Sequence, residues 1–233
     1  MVKDCLWKQA LKWEGEPVLV LSLRTPELDA ESRGARRINR YYGKLAQIWK
    51  ARWETSLFPS ACAALAEARA ASRPFEPWSV TLDYRVTQEE AGLLSLYVDA
   101  VERSTGRPLT VRTADTWDLA SGVPHLLTDF LPPTRLWRQS LLAELTAQSE
   151  ARLQSGESFF YADAPARVRR FFSPQRFYLT GDSLAVFFPM LSLAPAAEGI
   201  PVFLLPRPDV AGEQNSQASR LLPPFHHKTP QKY

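Results

Sequence analysis

Between residues 35 and 57 the apolar side chains fall at Ile38, Tyr41, Tyr42, Leu45, Ile48, Trp49, Trp53 and Leu57, and intervals of three and four place them on one face of a helix. A stripe this long has to be covered by apolar surface from elsewhere in the chain. Pro59 interrupts the pattern and the alanine-rich residues 60–71 resume it, which predicts a break or kink followed by a second helical segment. Arg73-Pro74-Phe75-Glu76-Pro77 forbids further helix.

Strand patterns lie on both sides of this helix. Residues 5–23 alternate imperfectly about Glu14-Gly15-Glu16-Pro17, as a hairpin does. Residues 78–87 alternate cleanly, with Val80, Leu82, Tyr84 and Val86 against Thr81, Asp83 and Arg85, the pattern of a half-buried strand. Two further strands, residues 93–102 and 109–118, complete an antiparallel meander. Thr134 is placed to cap a helix running to about residue 153, with Trp137, Leu141, Leu142 and Leu145 inward and Gly156 as its C-cap. Asp163 ahead of Pro165 starts a short third helix. Residues 176–179, 184–188 and 200–205 read as closing strands, and the polar, Pro-rich residues 208–233 as a disordered tail.

The expected fold is therefore α+β: an antiparallel meander packed against a long N-terminal helix and a second mid-chain helix. It forms a single domain over residues 1–207, with a hairpin-and-helix part to about 88 and a second part from about 89. Length and a 45% hydrophobic content suffice for such a core.

Twenty-eight Lys and Arg against 25 Asp and Glu leave a formal charge of only +3, which argues against nucleic acid as the partner on bulk charge. Cys5 and Cys62 cannot build a disulfide framework, and no Cys/His spacing suggests zinc. The opening residues lack the apolar core of a signal peptide, and residues 18–23 are too few to cross a bilayer. The reading is a cytoplasmic protein with no membrane span, no cofactor and no metal.

Four parts of the chain carry a family resemblance. Phe177-Tyr178-Leu179-Thr180-Gly181-Asp182-Ser183-Leu184-Ala185-Val186-Phe187-Phe188, followed by Ala194-Pro195-Ala196-Ala197-Glu198-Gly199-Ile200-Pro201, resembles the C-terminal signature of the RsiV-type domain of unknown function. Leu94-Ser95-Leu96 with Ser104-Thr105-Gly106, and Thr116-Trp117-Asp118-Leu119-Ala120-Ser121-Gly122, agree in order and spacing, as does Ile38-Asn39-Arg40-Tyr41-Tyr42. The likeness covers about residues 5–206. It implies the fold of the extracellular domain of the anti-sigma-V factor RsiV, which senses lysozyme by binding it, a domain also found beside the catalytic unit of the peptidoglycan deacetylase PdaC. It implies recognition of a protein or glycan ligand, lysozyme among them, through loops on a sheet scaffold. The loops concerned are Thr105, Gly106, Arg107 and Pro108, and Met190, Leu191, Pro195 and Ala196. Where the family usually reads Thr-Gly-Gly-Ala-His, this chain has Thr105-Gly106-Arg107-Pro108-Leu109.

Catalytic constellations are sparse. Nucleophilic catalysis needs a Ser or Cys beside an oriented base, and of three histidines His226 and His227 lie in the tail, while His125 follows Pro124 at a turn. Asp83, Asp99, Asp115 and Asp118 lie on neighbouring strands and could pair as general acid and base on a glycan. Asp99 with Asp115 is the candidate couple, against ordinary cross-strand pairing with Arg85, Arg103 or Arg112. Arg33, Arg37, Arg40 and Lys44 recur at helical spacing, either as a surface for an anionic partner or as a solvated face paired with Glu27, Asp29 and Glu31. Trp49, Trp53, Trp117 and Trp137 read as core, whereas Trp7, Trp13 and Trp78 are the candidates for exposed stacking on sugars.

Overall fold

The computed structural model describes residues 2–90, 92–156 and 158–207. The tail, with His226 and His227, lies outside the described residues. Strands β1 (Val2–Trp13) and β2 (Glu16–Leu28) form a hairpin closed by Glu14 and Gly15 at φ 49° and 86°, the paired positive φ values that match the twist of two antiparallel strands. Ser32 then caps α1 (Arg33–Arg52), its hydroxyl accepting from the Ala35 N–H at 2.9 Å.

Pro59 does not break the helix. A single π turn at Trp53–Leu57 absorbs the irregularity, and α2 (Phe58–Ala70) starts with Pro59 in its first turn, where a missing N–H costs little. Trp53, at the start of that turn, is fully buried and donates its indole N–H to Glu102 at 2.9 Å.

The helices return the chain alongside β2, so β3 (Trp78–Glu90) pairs with it in parallel, Leu19 opposite Trp78 and Leu23 opposite Leu82. This is the one parallel pair in a sheet whose other pairings are antiparallel: β4 (Leu93–Arg103), β5 (Leu109–Asp118) and the short β6 (Val123–Pro124) follow as the meander. One face of the sheet, carrying Leu21, Leu23, Val80, Leu82, Leu96, Val98 and Trp117, packs on Ile38, Tyr42, Trp53 and Leu65 of the helices.

A second lobe covers part of the other face. It comprises α3 (Trp137–Ser155), α4 (Ala164–Phe171) and a three-stranded sheet of β7 (Phe177–Thr180), β8 (Ser183–Phe187) and β9 (Val202–Pro206). Its core gathers Leu141, Leu145, Phe160, Val168, Leu184, Val186, Phe188 and Phe203. The junction is the Ser95 hydroxyl, which accepts from the Leu179 N–H at 2.8 Å and shares a 2.8 Å hydrogen bond with Thr116. Beside it the Tyr97 and Tyr178 rings lie 5.2 Å apart. The first core ends with the meander, and the buried residues of the second begin at Leu127.

One helix start differs from expectation. Thr134 does not cap α3: its carbonyl accepts from the Trp137 N–H at 3.3 Å, and Leu136 occupies the cap position. Asp163 holds the N-cap position of α4, where the helix was expected to start, and its carboxylate pairs with Arg167 at 2.8 Å, not with the helix N–H groups. An arginine one turn along outcompetes the backbone there because the pair is charge-assisted. Gly156 takes the left-handed C-cap conformation expected of it, φ 71°.

The turn after β5 seats the start of α1 through a mutual glycine contact. A Cβ on Gly34 would lie 2.2 Å from the Leu119 carbonyl oxygen, and one on Gly122 would lie 2.6 Å from the Gly34 carbonyl oxygen. Gly34→Ala should lower the unfolding free energy by about 2–3 kcal/mol, the scale of overpacking against rigid backbone. Gly43→Ala, on the same helix with nothing within 4 Å of the added Cβ, should raise it by about 0.5–1 kcal/mol. Denaturant titration of both variants checks the contrast, and equal effects would refute the contact's importance.

Candidate functional site

Strand β5 lies next to one end of the large sheet, whose other end is β1. Its pairing with β6 extends over only two positions, Trp117 with Pro124 and Asp118 with Val123, after which the His125 N–H reaches the Thr116 carbonyl at 2.7 Å and the chain departs. Below that point β5 floors a groove of about 530 Å³. Tyr41 stands on the helix side, His125 and Leu126 close one end, and residues 173–177 with Phe187 form the wall from the second lobe. At the far end Met190 lies against the strand, its sulfur 3.2 Å from the Thr110 N–H.

Electrostatics differ on the two sides of β5 because successive side chains point to opposite faces. Towards the helices, Asp115 is largely buried and accepts from the Tyr42 and Tyr41 hydroxyls at 3.2 and 3.4 Å. The Trp117 indole N–H in turn donates to Tyr42 at 2.8 Å. Burial pushes the Asp115 carboxyl up to about 6, against the opposing pull of the two hydroxyls. Towards the second lobe, Arg112 makes a two-pronged contact with Asp99, 2.8 and 2.7 Å, and lies 3.7 Å over the Tyr97 ring.

Asp99 and Asp115 therefore project from opposite faces and cannot act as a couple. The carboxylates that do share a face are Asp83 and Asp99, directly opposite across β3 and β4. Asp83 is held by Arg24 at 2.5 Å and Asp99 by Arg112. His125 contacts Asp129 at 3.2 Å and sits against the Phe130 ring. Among the described residues no group of three or more His, Cys, Asp or Glu side chains is arranged for a metal.

The loop residues expected to bind ligand separate into two places. Thr105, Gly106, Arg107 and Pro108 form the exposed β4–β5 connection, and Met190 reaches the start of β5 beside them, with Leu191 exposed next to it. Pro195 and Ala196 instead enter a single 3-10 turn whose Glu198 accepts from the Phe159 N–H at 3.0 Å, away from the groove lining. Arg33, Arg37, Arg40 and Lys44 form an exposed row on α1. Among the described residues no ion pair joins them to Glu27, Asp29 or Glu31, Asp29 going to Lys3 at 2.5 Å, and none of the four lines the groove. Trp53 and Trp117 are core, but Trp49 and Trp137 are only half-buried. Trp7 and Trp13 are also half-buried, and Lys50 and Arg69 lie 4.1 and 5.4 Å over their rings. The groove itself went unforeseen. Its sequence signal was the brevity of the segment between Ser121-Gly122 and the turn at His125, too short to cover ten residues of β5.

The buried Asp115 predicts a pH dependence. The folded state holds this proton to a higher pH than the unfolded chain, so the contribution is full below about pH 4 and is lost as pH rises through about 6. Denaturant unfolding should therefore show about 2–3 kcal/mol lost from this group over that window. Asp115→Asn should flatten the window and exceed the parent in stability above it. Parallel profiles for the two proteins would refute the assignment.

Comparison with known proteins places the fold. Residues 128–208 match the model of a family described as a protein of unknown function, DUF3298. No curated protein matches the chain. The crystal structure of a DUF3298 family protein from Pseudomonas aeruginosa PAO1 is similar with a TM-score of 0.57 at 17% identity, covering 91% of this chain and 93% of that one. A DUF3298 family member from Bacteroides fragilis NCTC 9343 is similar with a TM-score of 0.60 at 14% identity, covering 96% and 94%. The likeness of the whole chain to these two structures is one of fold, and the family match over residues 128–208 falls on the second lobe, from just before α3 to just after β9.

Proposed function

We propose that this chain is a recognition domain, without chemistry of its own, whose ligand seats in the groove along β5. The observation that carries the reading is the groove's construction. A rigid sheet edge forms its floor, both lobes contribute walls, and about 530 Å³ stands open, the size range of a built binding site. The acidic groups around it already have partners: Asp99 with Arg112, Asp83 with Arg24, Asp115 with two tyrosines and Asp129 with His125. A carboxylate so engaged is a structural element, whereas glycoside chemistry asks for two that are free to exchange protons across a cleft. The fold likeness to DUF3298 structures and the resemblance of the β7–β9 region to RsiV-type domains support a sensor or adaptor role towards a protein ligand, with lysozyme the first candidate to test.

The purified chain, incubated with peptidoglycan fragments and chito-oligosaccharides, should release neither reducing ends nor acetate above a protein-free control. Turnover at an enzyme-like rate of about 1 s⁻¹ or more, abolished by Asp83→Asn or Asp99→Asn, would overturn the reading. With lysozyme as the protein probe, hydrogen exchange should place any protection at residues 110–116. Protection confined to the α1 cation row would move the site to that helix.

A further inference from the structure

We propose that the free edge of β5 is a strand-addition slot that receives an extended, acidic peptide segment of a partner protein, antiparallel to β5. The proposal rests on the recognition reading above and names the chemistry of its ligand.

The backbone defines the slot. The Thr116 carbonyl faces outward to His125 and the Thr110 N–H faces outward to Met190, so strand alternation directs the main-chain groups of Arg112 and Ala114 outward as well. Both ends of the edge are thus closed, by β6 and by Met190. Between them the N–H and C=O groups of Arg112 and Ala114 meet no protein partner among the described residues. They recur every second residue, about 6.8 Å apart, a spacing that another β-strand matches and that a glycan's hydroxyls do not repeat. Main-chain pairing of this kind supplies affinity, and the pockets for alternate side chains supply specificity.

The two walls select the side chains. Peptide residues opposite Arg112 and Ala114 point towards the second lobe, where Arg176 lines the groove. Its guanidinium gives one hydrogen bond, to the Phe171 carbonyl at 2.9 Å, and has no carboxylate partner among the described residues. Arg112, by contrast, is neutralised by Asp99. Arg170, exposed on the adjoining surface with Arg176, adds to the positive potential on that side. An acidic side chain is the complement at these positions. The peptide residue between them, opposite Thr113, points to the helix side, where Tyr41 and Val111 are 38% and 50% exposed. That position takes an apolar side chain. The ligand pattern is acidic, apolar, acidic, in extended conformation.

The test uses a fluorescein-labelled peptide of alternating glutamate and valine, about seven residues long, titrated into the full chain by anisotropy with hydrogen exchange in parallel. Binding should protect the amides of Arg112 and Ala114. N-methylation at the glutamates, whose amides would pair with β5, should weaken binding at least about tenfold, while N-methylation at the valines leaves it within about threefold. Arg176→Gln should weaken the glutamate peptide about tenfold and leave a glutamine–valine peptide unchanged. Ala114→Pro, which removes an outward N–H and is tolerated on an edge strand, should lose binding while circular dichroism and thermal midpoint report an intact fold. If both methylation patterns bind alike, strand pairing is refuted even though the groove is occupied. If the folded protein binds no peptide of this series, the proposal falls, and the recognition reading is then judged by the turnover assay and the lysozyme exchange experiment.

Discussion

The hydroxyl of Ser95 holds the two lobes in register. A polar side chain buried in the middle of a strand is costly unless its hydrogen bonds are complete, and Ser95 completes them by accepting from the Leu179 N–H and sharing a bond with Thr116. This fixes β7 across β4 and β5, and with it the packing of Tyr178 on Tyr97 and of Phe187 beside Ala114. Strand β4 is consequently buried on both sides at Leu94-Ser95-Leu96, the helices covering one face and the second lobe the other. The groove exists because that second lobe overhangs the sheet just inside its unpaired edge.

The polar face of the sheet is organised as a row. Arg24, Asp83, Asp99 and Arg112 follow one another across β2 to β5, with the two carboxylates adjacent and a guanidinium outside each. Two like charges opposite one another would oppose pairing of β3 with β4, and the flanking arginines offset that repulsion. On the helix face the same strand carries a different solution. Asp115, Tyr42 and Trp117 form a hydrogen-bonded chain in which each donor is matched to an acceptor, tying the middle of α1 to β5. One strand thus supplies an ion pair to one lobe and a buried polar chain to the other.

Natural sheets blunt their exposed edges with short strands, charges or covering loops. Here β5 is covered at its ends, by His125 and Met190, and open in its middle. A gap of defined length, flanked by walls of different chemistry, differs from a long flat edge in that it admits one short segment and offers no room for indefinite pairing.

By itself the sequence determined the elements. Three-and-four spacing marked α1, clean alternation marked β3, and Gly156 marked the end of α3, because these signals are local and depend on side-chain periodicity or a single backbone conformation. It also carried the family likeness, whose Gly122 turn and Leu94-Ser95-Leu96 stretch are now seen to seat α1 and the second lobe. Only the tertiary structure decided which faces meet. That Asp99 and Asp115 point apart and that β5 keeps an open edge depend on register and on contacts between residues far apart in the chain. A shift of one residue along a strand exchanges its faces, so the pairing of strands, absent from any local pattern, sets where the groove lies and what lines it.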